Sequence, residues 1–334
     1  MSSSLLGGCL CGAIRYECRA APQLALFCHC RACQKAHAAP YSAAAIPPPG
    51  SVELMSGTPR RHLVVADSGA GVFREFCGRC GTHLFSGGEA FSQFRTVKLA
   101  TLDNPAAIFP IAHMWAENII PWACIDDGLP RFSKQISGLD RLWDEMRDGR
   151  TPQAVLVAQE SPRAGRAPTP RVAPQSPRKK LSFPLHGGCL CGATRFECRA
   201  EPITAVFCHC RTCQKFHAAP YAACAMMPQG SIVVASGAPV RFDAIGDTGA
   251  VVFREFCGRC GTQLFSGSSA FSLSKTVKIA ALDDPAAIPP VAHLHTENRI
   301  PWACISDGLP RYLKQVQELS DLERLWAEGG AGAA

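Results

Sequence analysis

Short runs of alternating apolar and polar residues dominate this chain. Ile14, Tyr16 and Cys18 point one way and Ala13, Arg15 and Glu17 the other, the two-residue period of a strand with one buried face. Residues 72–76, 96–99 and 111–115 predict further strands, separated by Gly, Pro and Asp-Asn breakers. The same runs return at 251–256, 276–279 and 291–295. Helical spacing is scarce: Leu139, Leu142, Trp143 and Met146 fall on one face, and Leu322, Leu325 and Trp326 repeat the beginning of that pattern. The architecture expected is mainly antiparallel β, with a few short helices.

The recurrence extends well beyond the strands. Aligned without a gap, residues 7–131 and 187–311 share 83 identities in 125 positions, with every match 180 residues apart. A repeat of that length is a whole domain rather than a solenoid unit. The terminal helical pattern is offset by 183 instead, so a three-residue insertion in the second copy relative to the first lies between the domain body and the last helix. The chain of 334 residues therefore divides into a first domain, 1–149, a second domain, 185–334, and a connecting stretch, 150–184. That stretch holds seven prolines and carries +6 of the net charge of +7. It reads as a disordered, solvated spacer between two nearly neutral domains, which makes a nucleic-acid partner the less favoured reading of the positive charge. A duplicated domain commonly preserves the interface of an ancestral homodimer, so pairing of the two halves within one chain is expected.

Nineteen cysteines set the chemistry. No basic segment followed by an apolar stretch opens the chain, and no run approaches the roughly 18 apolar residues of a membrane span, so a cytoplasmic location without membrane contact is expected. In a reducing compartment such thiols serve metal rather than disulfides. Their spacing supports zinc. Cys77-Gly78-Arg79-Cys80-Gly81 is a knuckle in which glycines allow a tight turn that aims two sulfurs at one ion. Cys9-Leu10-Cys11, flanked by Gly8 and Gly12, supplies two more and completes a closed, structural set of four. Cys28, Cys30 and Cys33 remain, three thiolates with no fourth cysteine nearby. Two arrangements are open: a catalytic zinc with a free fourth position, or a closed site completed by His37 one helical turn after Cys33. His29 is a weaker ligand candidate, because neighbours in an extended Cys-x-Cys point in opposite directions. The second copy repeats all of this at Cys189, Cys191, Cys257 and Cys260, at Cys208, Cys210 and Cys213, and at His217 and His209. Two zinc ions per domain, four per chain, follow. Of the five cysteines left over, Cys18, Cys124, Cys198, Cys224 and Cys304, most have apolar neighbours and read as small core hydrophobes.

Gly-Gly-Cys-Leu-Cys-Gly, Phe-Cys-His-Cys-Arg-x-Cys-Gln-Lys and Phe-Cys-Gly-Arg-Cys-Gly-Thr, in that order, resemble the glutathione-dependent formaldehyde-activating enzyme family, whose domain is shared with centromere protein V. The resemblance covers both domain bodies, including His113, Pro121-Trp122 and their counterparts His293 and Pro301-Trp302. It implies a β-tent fold, a structural zinc on the four-cysteine set and a catalytic zinc on the three-cysteine set. It also implies glutathione as co-substrate and carbon–sulfur lyase chemistry: addition of the thiol to formaldehyde, giving S-hydroxymethylglutathione, and its reversal. Family members commonly carry a smaller residue where His37 and His217 stand. Three thiolates on a zinc dication make a poor activator of water but a suitable seat for an exogenous thiol. The alkoxide formed needs a proton, and His29, His37 and His113, with His209, His217 and His293, are the titratable candidates.

Against this enzyme acting on a small thiol and a small aldehyde stand two other classes. One is a binding module whose zinc is all structural and whose basic linker engages a partner or nucleic acid. The other is a redox or metal-buffering protein. The two copies also differ near their expected sites, with Ala36, His83, Trp115 and Ile119 replaced by Phe216, Gln263, His295 and Arg299.

Overall fold

A computed structural model describes residues 4–22, 24–65, 69–88, 95–136, 180–245 and 249–329. The helix expected at 139–146 and nearly all of the expected linker at 150–184 lie outside these residues. The first half runs β1 (Leu5–Gly8), β2 (Arg15–Cys18), β3 (Leu24–Cys28), α1 (Arg31–His37), β4 (Ser42–Ile46), β5 (Val52–Ser56), β6 (Arg60–Val65), β7 (Gly71–Phe76), β8 (His83–Gly88), β9 (Thr96–Lys98) and β10 (His113–Met114). The second half repeats it as β11 (Leu185–Gly188), β12 (Arg195–Cys198), β13 (Thr204–Cys208), α2 (Arg211–His217), β14 (Ala222–Pro228), β15 (Ile232–Ser236), β16 (Val240–Ile245), β17 (Val251–Phe256), β18 (Gln263–Ser268), β19 (Ser274–Lys278) and β20 (Ala292–Leu294). A last helix, α3 (Leu319–Ala327), buries Leu322, Leu325 and Trp326, the face that its spacing predicts.

Each half consists of two sheets. The smaller has the order β1-β2-β5 and the larger the order β10-β3-β4-β9-β8-β7-β6, and the second half reproduces both. Alternation sets the faces: Ile14, Tyr16 and Cys18 are buried, whereas Ala13 is exposed. Pairing is antiparallel except at one edge, where β10 lies parallel to β3 with His113 opposite Phe27 and Met114 opposite Cys28. The strand expected over 111–115 is thus shorter than its apolar run. It stops because Trp115 turns into the left-handed region (φ 58°), as His295 does in the other half (φ 57°).

The two halves share one core, in which Phe27, Tyr41, Trp122, Phe207, Tyr221 and Trp302 all take part. Their contacts come in reciprocal pairs, as a two-fold arrangement demands. The Trp122 indole donates to the Pro285 carbonyl and Trp302 to the Pro105 carbonyl, each at 2.7 Å. Arg31 donates to Ala280 O (2.9 Å) and Leu282 O, while Arg211 donates to Ala100 O (2.8 Å) and Leu102 O. His37 Nδ1 meets the His217 carbonyl at 2.9 Å, and His217 Nδ1 meets the His37 carbonyl at 2.8 Å. A carbonyl only accepts, so both imidazoles carry their proton on Nδ1. The ion pairs Lys35–Asp283 (3.0 Å) and Lys215–Asp103 (3.3 Å) complete the rim. Gly81 and Gly261 both need positive φ (76°), and a side chain at either would strike Phe256 or Phe76 of the opposite half.

Segments 1–149 and 185–334 produced as separate chains are expected to co-elute as a one-to-one complex in light-scattering chromatography. Trp302→Ala, which removes a buried indole from this interface, is expected to cost about 3–5 kcal/mol. Independent monomers of both segments would contradict the shared core.

Candidate metal centres

Four clusters of cysteine sulfurs converge, with the donor atoms of each within 4.8 Å of one another. Cys9, Cys11, Cys77 and Cys80 form one, and Cys189, Cys191, Cys257 and Cys260 its repeat. Local backbone chemistry builds them. The Gly81 amide donates to Cys77 O (2.8 Å), closing the knuckle, and the Leu10 amide donates to Thr82 Oγ1 (3.1 Å), tying the β1–β2 turn to the β7–β8 turn. The Ile14 amide points at Cys9 Sγ (3.3 Å). Sulfur separations are 3.5 Å for Cys9–Cys11, 3.7 Å for Cys11–Cys77, 3.5 Å for Cys189–Cys191 and 3.8 Å for Cys191–Cys257. A tetrahedron with zinc–sulfur bonds of about 2.3 Å has edges of about 3.8 Å, so these donor sets fit zinc. Without a cation the sulfurs share charge badly: neighbouring thiols push Cys77 far above the usual range and hold Cys80 far below it.

The other clusters are Cys28, Cys30 and Cys33, and Cys208, Cys210 and Cys213. Cys28 ends β3, Cys30 caps α1 and accepts the Cys33 amide on Sγ (3.4 Å), and Cys33 lies in the first turn. Cys208 and Cys210 stand 3.5 Å apart, again a zinc-compatible edge. Cys28 is pushed up by Cys30 and Cys33, and Cys33 is held down by Cys28 and Cys30, so a cation is again the group that lets all three ionise together.

No histidine nitrogen joins a cluster among the described residues. His37 and His217 turn instead to the interface. Burial pushes both down to about 3, so they are neutral. His29 faces away from its flanking cysteines, with Nε2 2.9 Å from His113 Nδ1, and His113 Nε2 lies 2.9 Å from Asp127 Oδ2. The carboxylate accepts, so the protons run from His29 to His113 to Asp127. His209, His293 and Asp307 repeat the chain at 2.9 and 2.7 Å. Burial opposes ionisation of Asp127, but the His113 hydrogen bond holds its carboxyl below the usual range.

A cavity of about 210 Å³ opens beside the first three-cysteine cluster. Leu26, Ile46, Val64, Val72, Met114 and Trp115 supply its apolar wall, and none of His29, His37 and His113 lines it. Two buried cations do. Arg74 Nη2 lies 3.6 Å from Cys33 Sγ, and Lys98 Nζ donates to Ser86 Oγ at 2.7 Å. Burial lowers Lys98 to about 8, while the Cys33 thiolate acts in the opposite direction. Three thiolates around a dication would leave one negative charge, which these cations would more than offset in place of solvent. Neither cation belongs to a motif in the sequence. Their signal is a charge inside an alternating strand, kept in both copies as Arg254 and Lys278. Of the positions that differ between copies, Trp115 lines the cavity, whereas His83 and Gln263 lie at the interface, His83 beside Gly261 and Gln263 donating to Gly81 O at 2.7 Å.

Comparison with known proteins agrees with this geometry. The model of the glutathione-dependent formaldehyde-activating enzyme family matches residues 4–118 and again 184–298. The chain belongs to that family, in two tandem copies. Family membership implies an enzyme of glutathione and formaldehyde adducts with zinc-binding cysteine clusters. No curated protein matches the chain. Among solved structures, a Rhodobacter sphaeroides protein from a structural-genomics programme is similar at 23% identity, over 30% of this chain and 88% of that one, with a TM-score of 0.25. No helix among the described residues is long and apolar enough to cross a membrane.

Metal analysis is expected to find four zinc ions per chain. Cys77→Ser is expected to unfold the first half, since a structural zinc contributes on the order of 10–16 kcal/mol to small metal-dependent folds, whereas Cys30→Ser is expected to remove one ion and leave circular dichroism intact. Equal unfolding by both would contradict the division into structural and reactive sites.

Stability is also expected to depend on pH. His37 and His217 titrate near 6.5 when unfolded and near 3 when buried, so the unfolded chain binds more protons in between. Stability should therefore fall as pH drops below 6.5, each histidine contributing a slope of up to about 1.4 kcal/mol per pH unit. Denaturant titrations of wild type and His37→Asn/His217→Asn at several pH values read this. An unchanged pH slope in the double variant would contradict it.

Proposed function

We propose that the protein is a zinc-dependent carbon–sulfur lyase-type enzyme that forms or cleaves adducts of a glutathione-like thiol with formaldehyde or another small aldehyde. The reaction is placed at Cys28, Cys30 and Cys33 and repeated at Cys208, Cys210 and Cys213. The observation that carries this reading is the first cluster: three sulfurs converge, no fourth protein donor joins them among the described residues, and a cavity opens beside them. A module whose zinc is all structural would have no use for that opening.

A zinc ion held by the three cysteines would supply a seat where an exogenous thiol loses its proton at neutral pH. The remaining work falls to the chain. The three sulfurs fix the place of attack, because β3, the cap of α1 and its first turn each hold one of them. The apolar wall keeps water from competing with the thiol. In the forward direction the thiol sulfur bonds to the carbonyl carbon, the carbon–oxygen π pair moves to oxygen, and that oxygen takes up a proton. Cleavage reverses each step, so no oxidant or reductant is needed. Histidine is not the source of the proton in this reading: His29 donates toward His113, and His37 donates across the interface. The connecting stretch 150–184 is proposed to act only as a tether.

Exchange spectroscopy by NMR, with formaldehyde, glutathione and S-hydroxymethylglutathione at equilibrium, tests the proposal. The zinc-loaded chain is expected to speed interconversion at least tenfold over buffer, and Cys30→Ser/Cys210→Ser to abolish the effect with both four-cysteine sites still loaded. Exchange at the buffer rate with all sites loaded would sink it.

A further inference from the structure

Two features of the first cavity go beyond what a formaldehyde adduct requires. At about 210 Å³ it exceeds by more than tenfold the roughly 10–15 Å³ that admits one water. It is also smaller than the roughly 300–1,000 Å³ pockets that enclose drug-sized ligands, so a tripeptide thiol would enter by its sulfur end alone. Much of its wall is hydrocarbon: Leu26, Ile46, Val64, Val72, Met114 and Trp115. Hydrocarbon surface of that extent recognises an apolar group and gains nothing from formaldehyde, which has none.

The second feature is the pair of cations. Arg74 and Lys98 are 6% and 4% exposed, reach the cavity from β7 and β9, two strands of one sheet with β8 between them, and share its lining with the three cysteines. Glu75, the carboxylate next in sequence to Arg74, is engaged elsewhere, with Arg61 at 2.7 Å and Arg95 at 3.0 Å. The Arg74 Nε is buried and has no hydrogen-bond partner. A buried guanidinium that lines the cavity, with Nη2 3.6 Å from Cys33 Sγ, places a positive charge where an anionic oxygen would form. The second half differs. There Lys278 reaches Cys224 Sγ (3.4 Å), which stands where the first half has Ala44, and the Arg254 guanidinium lies 5.6 Å from the Phe216 ring centre.

Resting on the function proposed above, we infer that the first half prefers aldehydes with a short apolar side chain. Arg74 and Lys98 hold the adduct's oxygen, and the wall from Leu26 to Trp115 holds the side chain. Thiolate sulfur forms the bond to the carbonyl carbon, the π pair becomes an alkoxide between the two cations, and water returns the proton released when the thiol ionised. The product is the neutral hemithioacetal.

The test uses the full zinc-loaded chain and two readouts. In NMR exchange with glutathione, isobutyraldehyde is expected to show an acceleration over buffer at least tenfold greater than formaldehyde. Arg74→Met in a Cys210→Ser background, which confines the reaction to the first half, should lower the isobutyraldehyde rate by about a hundredfold, the loss typical of one oxyanion donor. Arg74→Lys should restore part of it. In calorimetry, isobutyrate, a stand-in for oxygen anion and apolar group together, should bind the Cys210→Ser chain and bind at least tenfold more weakly once Arg74 is Met. Lys98→Met and a zinc count on every variant separate loss of the subsite from loss of fold. If formaldehyde is accelerated more than isobutyraldehyde, or isobutyrate binding ignores both substitutions, the inference falls and the proposed function stands. If no aldehyde is accelerated, the proposed function falls, while isobutyrate binding still decides whether Arg74 and Lys98 form an anion subsite.

Discussion

Crowded sulfur is the constraint on which the rest of this structure depends. Each half brings seven cysteines into two clusters whose sulfurs lie within 4.8 Å of one another. Thiolates at that range repel, and buried thiols that stay protonated leave the clusters nothing to hold them together. A zinc ion in each cluster would resolve both problems, and the separations of 3.5–3.8 Å within the clusters suit its tetrahedral edges. The four-cysteine set joins the β1–β2 turn to the β7–β8 turn, linking the small sheet to the large one. That link fixes the register of a half whose strands are mostly five or six residues or shorter.

The same turns carry the contact between halves. Gly81 ends the knuckle of one half and receives Phe256 of the other, and Gly261 receives Phe76. Arg31 sits between Cys30 and Cys33 and donates into the second half, and Arg211 returns the contact. Every three-cysteine cluster is therefore braced by residues of the opposite copy. This explains why His37, which stands one turn beyond Cys33, serves the interface: its Nδ1 satisfies a carbonyl at the end of α2 that no strand or helix pairs.

Period-two alternation and the cysteine spacing made the strands, the duplication and all four sulfur clusters legible in the sequence, because both signals are local. Three features were not. The shortness of the 111–115 strand depends on the left-handed turn at Trp115, a backbone choice that no glycine announces. The buried chain from His29 through His113 to Asp127 joins residues far apart in sequence, and Asp127 has no motif of its own. Arg74 and Lys98 look like ordinary solvent-facing charges of amphipathic strands until the fold buries them in the lining that the cluster shares. Their retention at 254 and 278 was the available clue.

The central claim is that the three-cysteine cluster keeps one coordination position open for a thiol. Replacing zinc by cobalt(II) and titrating glutathione while recording the sulfur-to-cobalt charge-transfer absorption tests it most directly. The account predicts a rise that saturates at one glutathione per three-cysteine site and disappears in Cys30→Ser/Cys210→Ser. A cobalt spectrum indifferent to glutathione in the intact chain would contradict it.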